Sequence, residues 1–216
     1  MLHQALHGCR GVGPGRHREI KVREEVDRVA QGQRGSFILV TGGARSGKSS
    51  YAEKTAAASG KKVIYIATAT GDDQEMRERI KNHRSRRPAG FITVEEPFEP
   101  HRIVEKEDHG ETFFLLDCLT LLLSNHLLRG DDGSASGESY GKRAEKFLVE
   151  MERLAAVLRD SAATALLVTN EVGMGIVPDS ALSRIFRDTA GRANQLAAAA
   201  ADRVWLIACG LPLALK

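Results

Sequence analysis

The chain has 216 residues, of which 27% are charged and 42% hydrophobic, with a formal net charge of +3. That length supports a full hydrophobic core, and the longest apolar candidate, residues 196–201, is far too short to cross a bilayer, so stable membrane insertion is not expected. The mild positive charge admits anionic ligands without calling for nucleic acid, and Cys9, Cys118 and Cys209 lack the C-x-x-C spacing of a zinc site, which suits a reducing cytoplasm.

Residues 1–35 carry His3, His7, Cys9 and His17, a glycine-rich run from Gly11 to Gly15 and the charge-dense Lys21 to Arg28, without the apolar centre of a signal peptide. They read as a flexible N-terminal extension, their histidines too irregularly spaced for a metal site, ahead of one domain at 36–216. From Phe37 onward short β-branched runs alternate with longer helical patterns. Strands are expected at 37–41, 62–67, 91–94, 113–117, 165–169 and 203–208, and helices at 48–59, 74–86, 120–128, 142–161 and 180–201. Such alternation predicts an α/β fold with a mostly parallel sheet covered by helices on both faces. Residues 130–137 have the composition of a loop.

The first strand runs directly into Gly42-Gly43-Ala44-Arg45-Ser46-Gly47-Lys48-Ser49, a complete G-x-x-x-x-G-K-S loop that opens a helix. Glycines let the backbone turn its N–H groups inward, and the helix dipole faces the same anion. Lys48 then reaches the β- and γ-phosphates of a nucleoside triphosphate and the Ser49 hydroxyl ligates Mg²⁺. An ordinary glycine-rich strand-to-helix turn is the competing reading, and it does not account for the lysine and serine at these positions.

The expected helix at 74–86 places Met76, Ile80, His83 and Arg87 on one face, a pattern compatible with a histidine beside the core. Four arginines within nine residues, Arg79, Arg84, Arg86 and Arg87, give that histidine a different setting. They gather a triphosphate, and their charge keeps the imidazole neutral and nucleophilic toward phosphorus. Glu95 ends the third strand as either a solvated carboxylate or an acceptor for a ribose or guanine edge. Asp117 ends the fourth strand as either a helix cap or the acid that holds Mg²⁺ opposite a phosphate loop. The run from Thr169 to Pro178 is dense in turn residues and reads as a loop at the carboxyl edge of the sheet, where Glu171 positions a substrate hydroxyl or a metal-bound water. Arg184, Arg187, Asp188, Arg192 and Asn194 line the last helix on a solvated or intersubunit face.

Together the phosphate loop, Tyr65-Ile66-Ala67-Thr68-Ala69, the run from Arg79 to Pro88, Val94-Glu95-Glu96-Pro97, Leu116-Asp117-Cys118-Leu119-Thr120 and the run from Val168 to Pro178 closely resemble the bifunctional adenosylcobinamide kinase / adenosylcobinamide-phosphate guanylyltransferase family. The resemblance extends from about Phe37 to the C-terminus and implies a RecA-like P-loop core in a homotrimer. It implies phosphorylation of the aminopropanol hydroxyl of adenosylcobinamide by ATP or GTP, then joining of GMP from GTP to that phosphate, with pyrophosphate released. The family's guanylylated histidine falls on His83. Its nucleotide-contacting positions fall on Gly42, Gly43, Ala44, Arg45, Ser46, Gly47, Lys48, Ser49, Ala67, Thr68, Ala69, Arg84, Ser85, Arg86, Arg87, Glu95 and Asp117. Two features depart from the pattern: the leader lies outside it, and Phe91 stands where a larger aromatic is expected. Three other readings share the phosphate loop: a small-molecule kinase without nucleotidyl transfer, a RecA-like ATPase stimulated by nucleic acid, and a GTP switch. Aromatic residues at 5% offer few stacking platforms for a polynucleotide.

Overall fold

A computed structural model describes residues 35–70, 74, 78, 87–129 and 139–216. In chain order the described elements are β1 (Phe37–Thr41), α1 (Lys48–Ala58), β2 (Lys62–Ala67), β3 (Ile92–Glu95), α2 (Pro100–Glu107), β4 (Thr112–Asp117), α3 (Leu119–Leu128), α4 (Tyr140–Asp160), β5 (Thr164–Val168), α5 (Ala181–Ala200), β6 (Arg203–Ala208) and β7 (Leu211–Ala214). They build one sheet in the order β3-β2-β4-β5-β1-β6-β7, parallel throughout except for the final β6–β7 pair. β5 therefore stands between the phosphate-loop strand β1 and the acid-bearing strand β4.

The central strands carry apolar side chains on both faces because both faces are covered. On one face Ile38, Val40, Tyr65, Phe113, Leu115 and Leu166 meet Ala52 and Ala56 of α1. On the other, Phe37, Leu39, Ile64, Ile66, Phe114 and Leu116 meet α2, α3, α4 and α5, with Phe147, Met151, Leu154 and Leu158 forming the buried stripe of α4. Small residues on α1 let that helix approach the sheet closely, which brings its N-terminus, and so the phosphate loop, down onto the carboxyl ends of the strands.

Two described elements were not expected from the sequence. α2 is short and mostly polar, too brief for a periodic signal; it starts at Pro100, where a missing N–H costs nothing, and buries only Pro100, His101 and Val104. β7 contains Pro212, which argues against a strand except at an edge, and β7 is an edge strand. It is joined to β6 through Cys209 and Gly210, both with positive φ (53° and 77°), as a tight hairpin turn requires. The third strand begins at Ile92 rather than Phe91, and Phe91 packs instead against the α1-side core. Of the helix expected at 74–86, only Gln74 and Glu78 are described; both are helical and exposed. The expected extension at 1–35 lies outside the described residues but for Gly35.

Candidate nucleotide site

The phosphate loop leaves β1 through Gly42, whose φ of 152° excludes most side chains and whose Cα faces the Ile207 carbonyl so closely that an added Cβ would lie 2.4 Å from that oxygen. It ends at Gly47, left-handed at φ 98°, which serves as the N-cap of α1 and lies against Gly210 of the β6–β7 turn. The Gly210 amide donates to the Ser46 carbonyl at 2.8 Å, and the Glu171 amide donates to the Gly42 carbonyl at 3.0 Å. The loop is thus held from both sides by segments more than a hundred residues later in sequence. Gly43, Ala44 and Arg45 stay exposed at its tip. Lys48 is buried, and its ammonium donates to the Gly43 carbonyl at 2.8 Å, bridging the loop across its own mouth. Ser49 follows it in the first turn of α1, half-buried.

Strand register lines up the expected acids with the loop. Glu95 pairs with Ala67, Ala67 with Asp117, Asp117 with Val168 and Val168 with Val40, forming one row across the carboxyl end of the sheet. Alternation along the strands puts Glu95, Ala67 and Asp117 on the α1 face. Glu95 is exposed and Asp117 half-buried. The Tyr65 hydroxyl, one pleat behind on the same face, donates to Asp117 Oδ2 at 2.7 Å. Burial and then the Asp117 charge push the Tyr65 phenol far above its usual range, so it remains a donor at any working pH. Arg87 lies with its guanidinium carbon 3.6 Å from the centre of the Tyr65 ring and donates through Nη1 to Thr93 Oγ1 at 3.2 Å. Next to Asp117, burial first and the Asp117 charge second raise the Cys118 thiol to about 11, while Lys48 acts on it in the opposite direction. Lys48 is therefore within electrostatic reach of the end of β4, and Cys118 is a neutral, unreactive packing group.

A polar lattice fixes the rest of this edge. The Thr68 hydroxyl accepts from Cys118 N and donates to Cys118 O, both at 2.8 Å, and Thr68 N donates to the Asp117 carbonyl at 3.2 Å. Asn125 of α3 donates to the carbonyls of Thr68 (2.7 Å) and Pro97 (2.9 Å), pinning the chain after β2. Asn170 donates to Thr120 Oγ1 at 2.5 Å, and Asn194 of α5 accepts from the Thr169 hydroxyl at 2.7 Å and donates to the Asn170 carbonyl at 3.1 Å. Asn194 thus points inward and is not part of a solvated face. Arg184 holds the end of the following loop through the carbonyls of Pro178 (2.9 Å) and Asp179 (2.6 Å), and Arg187 pairs with Asp188 beside it. Glu171 accepts from Gly173 N at 2.6 Å, so its carboxylate shapes its own loop.

The structure brings together Gly42 to Ser49, Ala67, Thr68, Asp117 and Glu95 at one edge, with Ala69 half-buried just beyond β2 and Arg87 behind them on Tyr65. His83, Arg84, Ser85 and Arg86 lie outside the described residues. Tyr65 and Asn170 carry site geometry although the motifs that contain them gave them no role, and Asn125 does so from outside any motif; a tyrosine two residues before the end of an otherwise aliphatic strand was the available signal for the first. A glycine-rich loop, a buried lysine and a helix N-terminus at the same sheet edge as a strand-end carboxylate form an arrangement suited to an anionic phosphate chain.

The family model for cobinamide kinase / cobinamide phosphate guanyltransferase matches residues 38–215. The bifunctional adenosylcobalamin biosynthesis protein CobU of Escherichia coli is 43% identical over 181 residues, covering 83% of this chain and 99% of its own length. The bifunctional adenosylcobalamin biosynthesis protein CobP of Pseudomonas aeruginosa is 43% identical over 178 residues, covering 82% and 96%. Among solved structures, the RadB recombinase aligns at 18% identity with a TM-score of 0.44 over 84% of this chain and 79% of that one.

Proposed function

Because the chain belongs to the cobinamide kinase / cobinamide phosphate guanyltransferase family, we propose that its nucleotide edge serves two successive reactions on one corrinoid, the second through a guanylylated His83. The enzyme is a cobinamide kinase and cobinamide-phosphate guanylyltransferase of cobalamin biosynthesis, and it uses ATP or GTP. Adenosylcobinamide is the first acceptor and its phosphate the second.

In the kinase step amides of the phosphate loop other than that of Ser46, which donates to the Gly43 carbonyl, and the N-terminus of α1 receive the β- and γ-phosphates, and the Lys48 ammonium leaves the Gly43 carbonyl for them. The oxygen donors Ser49 and Asp117 suit a hard divalent cation, and Mg²⁺ held by them would neutralise charge on the phosphates. Asp117 is kept in one orientation by the Tyr65 hydroxyl. Little covalent chemistry is asked of the protein in this step; positioning and charge carry it.

In the transfer step His83 Nε2 or Nδ1 attacks the α-phosphorus of GTP. A P–N bond forms, the bond from the α-phosphorus to the bridging oxygen breaks, and pyrophosphate leaves. A phosphate oxygen of the acceptor then attacks the same phosphorus, the P–N bond breaks and the imidazole regains its lone pair. Arg84 and Arg87 counter the charge that grows on GTP as His83 attacks, and Glu95 accepts hydrogen bonds from the ribose or guanine.

The observation that supports the reading most is the row Glu95–Ala67–Asp117, which lies in register at the carboxyl end of the sheet on the face covered by α1, the helix that Lys48 opens. Incubation with α-labelled GTP and Mg²⁺, followed by peptide mapping, should find one GMP adduct on His83, and His83→Ala should lose both the adduct and GMP transfer while keeping kinase turnover. A kinase without nucleotidyl transfer would leave the protein unlabelled. No described helix is long and apolar enough to cross a membrane. A homotrimer, as the family resemblance implies, in the cytoplasm, as the scattered cysteines suggest, is part of the proposal and is tested by sedimentation and cell fractionation.

A further inference from the structure

We infer that Tyr65 is a positioning residue shared by both half-reactions, its hydroxyl orienting Asp117 on the metal side and its ring seating Arg87 on the GTP side. The inference rests on the functional reading above and adds a residue that touches neither nucleotide nor corrinoid. Tyr65 is 1% exposed in the middle of β2, between two strands that fix its backbone, so its ring has no room to turn away. Its two ends face different parts of the site. The hydroxyl reaches the next strand and donates to Asp117 Oδ2 at 2.7 Å, while the ring face carries the Arg87 guanidinium at 3.6 Å. Arg87 is held further by Thr93 on the strand to the other side, so β4, β2 and β3 are linked through one aromatic side chain.

Chemistry separates the two functions. A hydrogen bond to a carboxylate selects which oxygen lone pairs remain directed toward a cation, whereas stacking under a guanidinium fixes the plane of its donors without using the hydroxyl. Tyr65→Phe therefore removes one function and keeps the other, and Tyr65→Leu removes both.

The test uses the full chain and two readouts. Mn²⁺ affinity is measured by electron paramagnetic resonance in the presence of a non-hydrolysable GTP analogue, and the rate of GMP-adduct formation by mass spectrometry of the intact protein; thermal melting checks that each variant is folded. Tyr65→Phe should weaken Mn²⁺ binding by about tenfold, the worth of a charge-assisted hydrogen bond, while slowing adduct formation less than about threefold. Tyr65→Leu should weaken Mn²⁺ binding similarly and slow adduct formation by about tenfold or more. Wild-type Mn²⁺ affinity in folded Tyr65→Phe overturns the role of the hydroxyl, and equal adduct rates in the Phe and Leu variants overturn the role of the ring. If the wild-type protein itself forms no adduct on His83, the histidine mechanism fails, and the Mn²⁺ measurement still decides the hydroxyl's part.

Discussion

Lys48 holds its ammonium on the Gly43 carbonyl at 2.8 Å, so an incoming phosphate replaces an existing bond and does not meet an unused charge. Replacing the side chain by methyl removes the donor that both acceptors in that exchange share. Lys48→Ala should lower kinase turnover by about a hundredfold, the usual cost of deleting one electrostatic donor from a transition state, as read by initial rates with saturating corrinoid. Gly42→Ala tests the loop backbone. Its new Cβ would press on the Ile207 carbonyl at 2.4 Å in a backbone conformation that L side chains rarely adopt, so GTP affinity should fall at least tenfold by calorimetry. Lys48, Ser49 and Asp117 were legible in the sequence because their signal is local: a lysine and a serine inside a glycine pattern, an acid at the end of an apolar run. Tyr65, Asn125 and Asn170 were not, because their partners lie 52, 57 and 50 residues away and become neighbours only through strand order.

At the level of elements, the face of the sheet covered by α2, α3, α4 and α5 buries the larger of the two cores. Phe147 of α4 is fully buried in a cluster drawn from the sheet and four helices, and Phe147→Ala should cost about 3–5 kcal/mol, visible as a lower denaturant midpoint. His101 of α2 is buried at the contact with α4, its Nδ1 lying 3.8 Å from Glu150. Burial, and then the charge of Arg153, lower its pKa below 6.5 despite the opposing carboxylates of Glu150, Glu105 and Glu99. An unfolded chain therefore takes up a proton that the folded chain resists, and the contribution present above 6.5 is lost as pH falls toward the lowered folded value. Urea titrations of wild type should show stability declining through that window, with a shallower slope in His101→Gln. The long helices and the central strands were plain in the sequence from their periodicity and their apolar runs. α2 and β7 were not, because one has only two turns to display a period and the other hides behind Pro212, a residue that an edge position alone tolerates.

For the molecule as a whole, sequence alternation was enough to specify a mostly parallel sheet, but not the placing of β5 between β1 and β4, since adjacency in a sheet is set by crossovers that leave no local mark. Ligand linkage offers a check on the assembled site: GTP with Mg²⁺ at a hundred times its dissociation constant should stabilise the fold by about 2.7 kcal/mol, read as a rise in melting temperature that Lys48→Ala largely abolishes. The match to the family begins at residue 38, and β1 begins at Phe37. A shortened chain spanning 35–216 should accordingly retain phosphorylation and adduct formation at rates within about twofold of the full chain, since every residue matched by the family is kept.

The last hairpin gives the molecule a vulnerability at its far end. With the Gly210 amide on Ser46 and the Ile207 carbonyl against Gly42, the rear wall of the phosphate loop is contributed by residues translated after every motif proposed to contact nucleotide. A ribosome that has completed all those motifs has still not produced a functioning grip. Premature termination just short of Ile207 should yield a polypeptide with an intact signature and little hold on GTP.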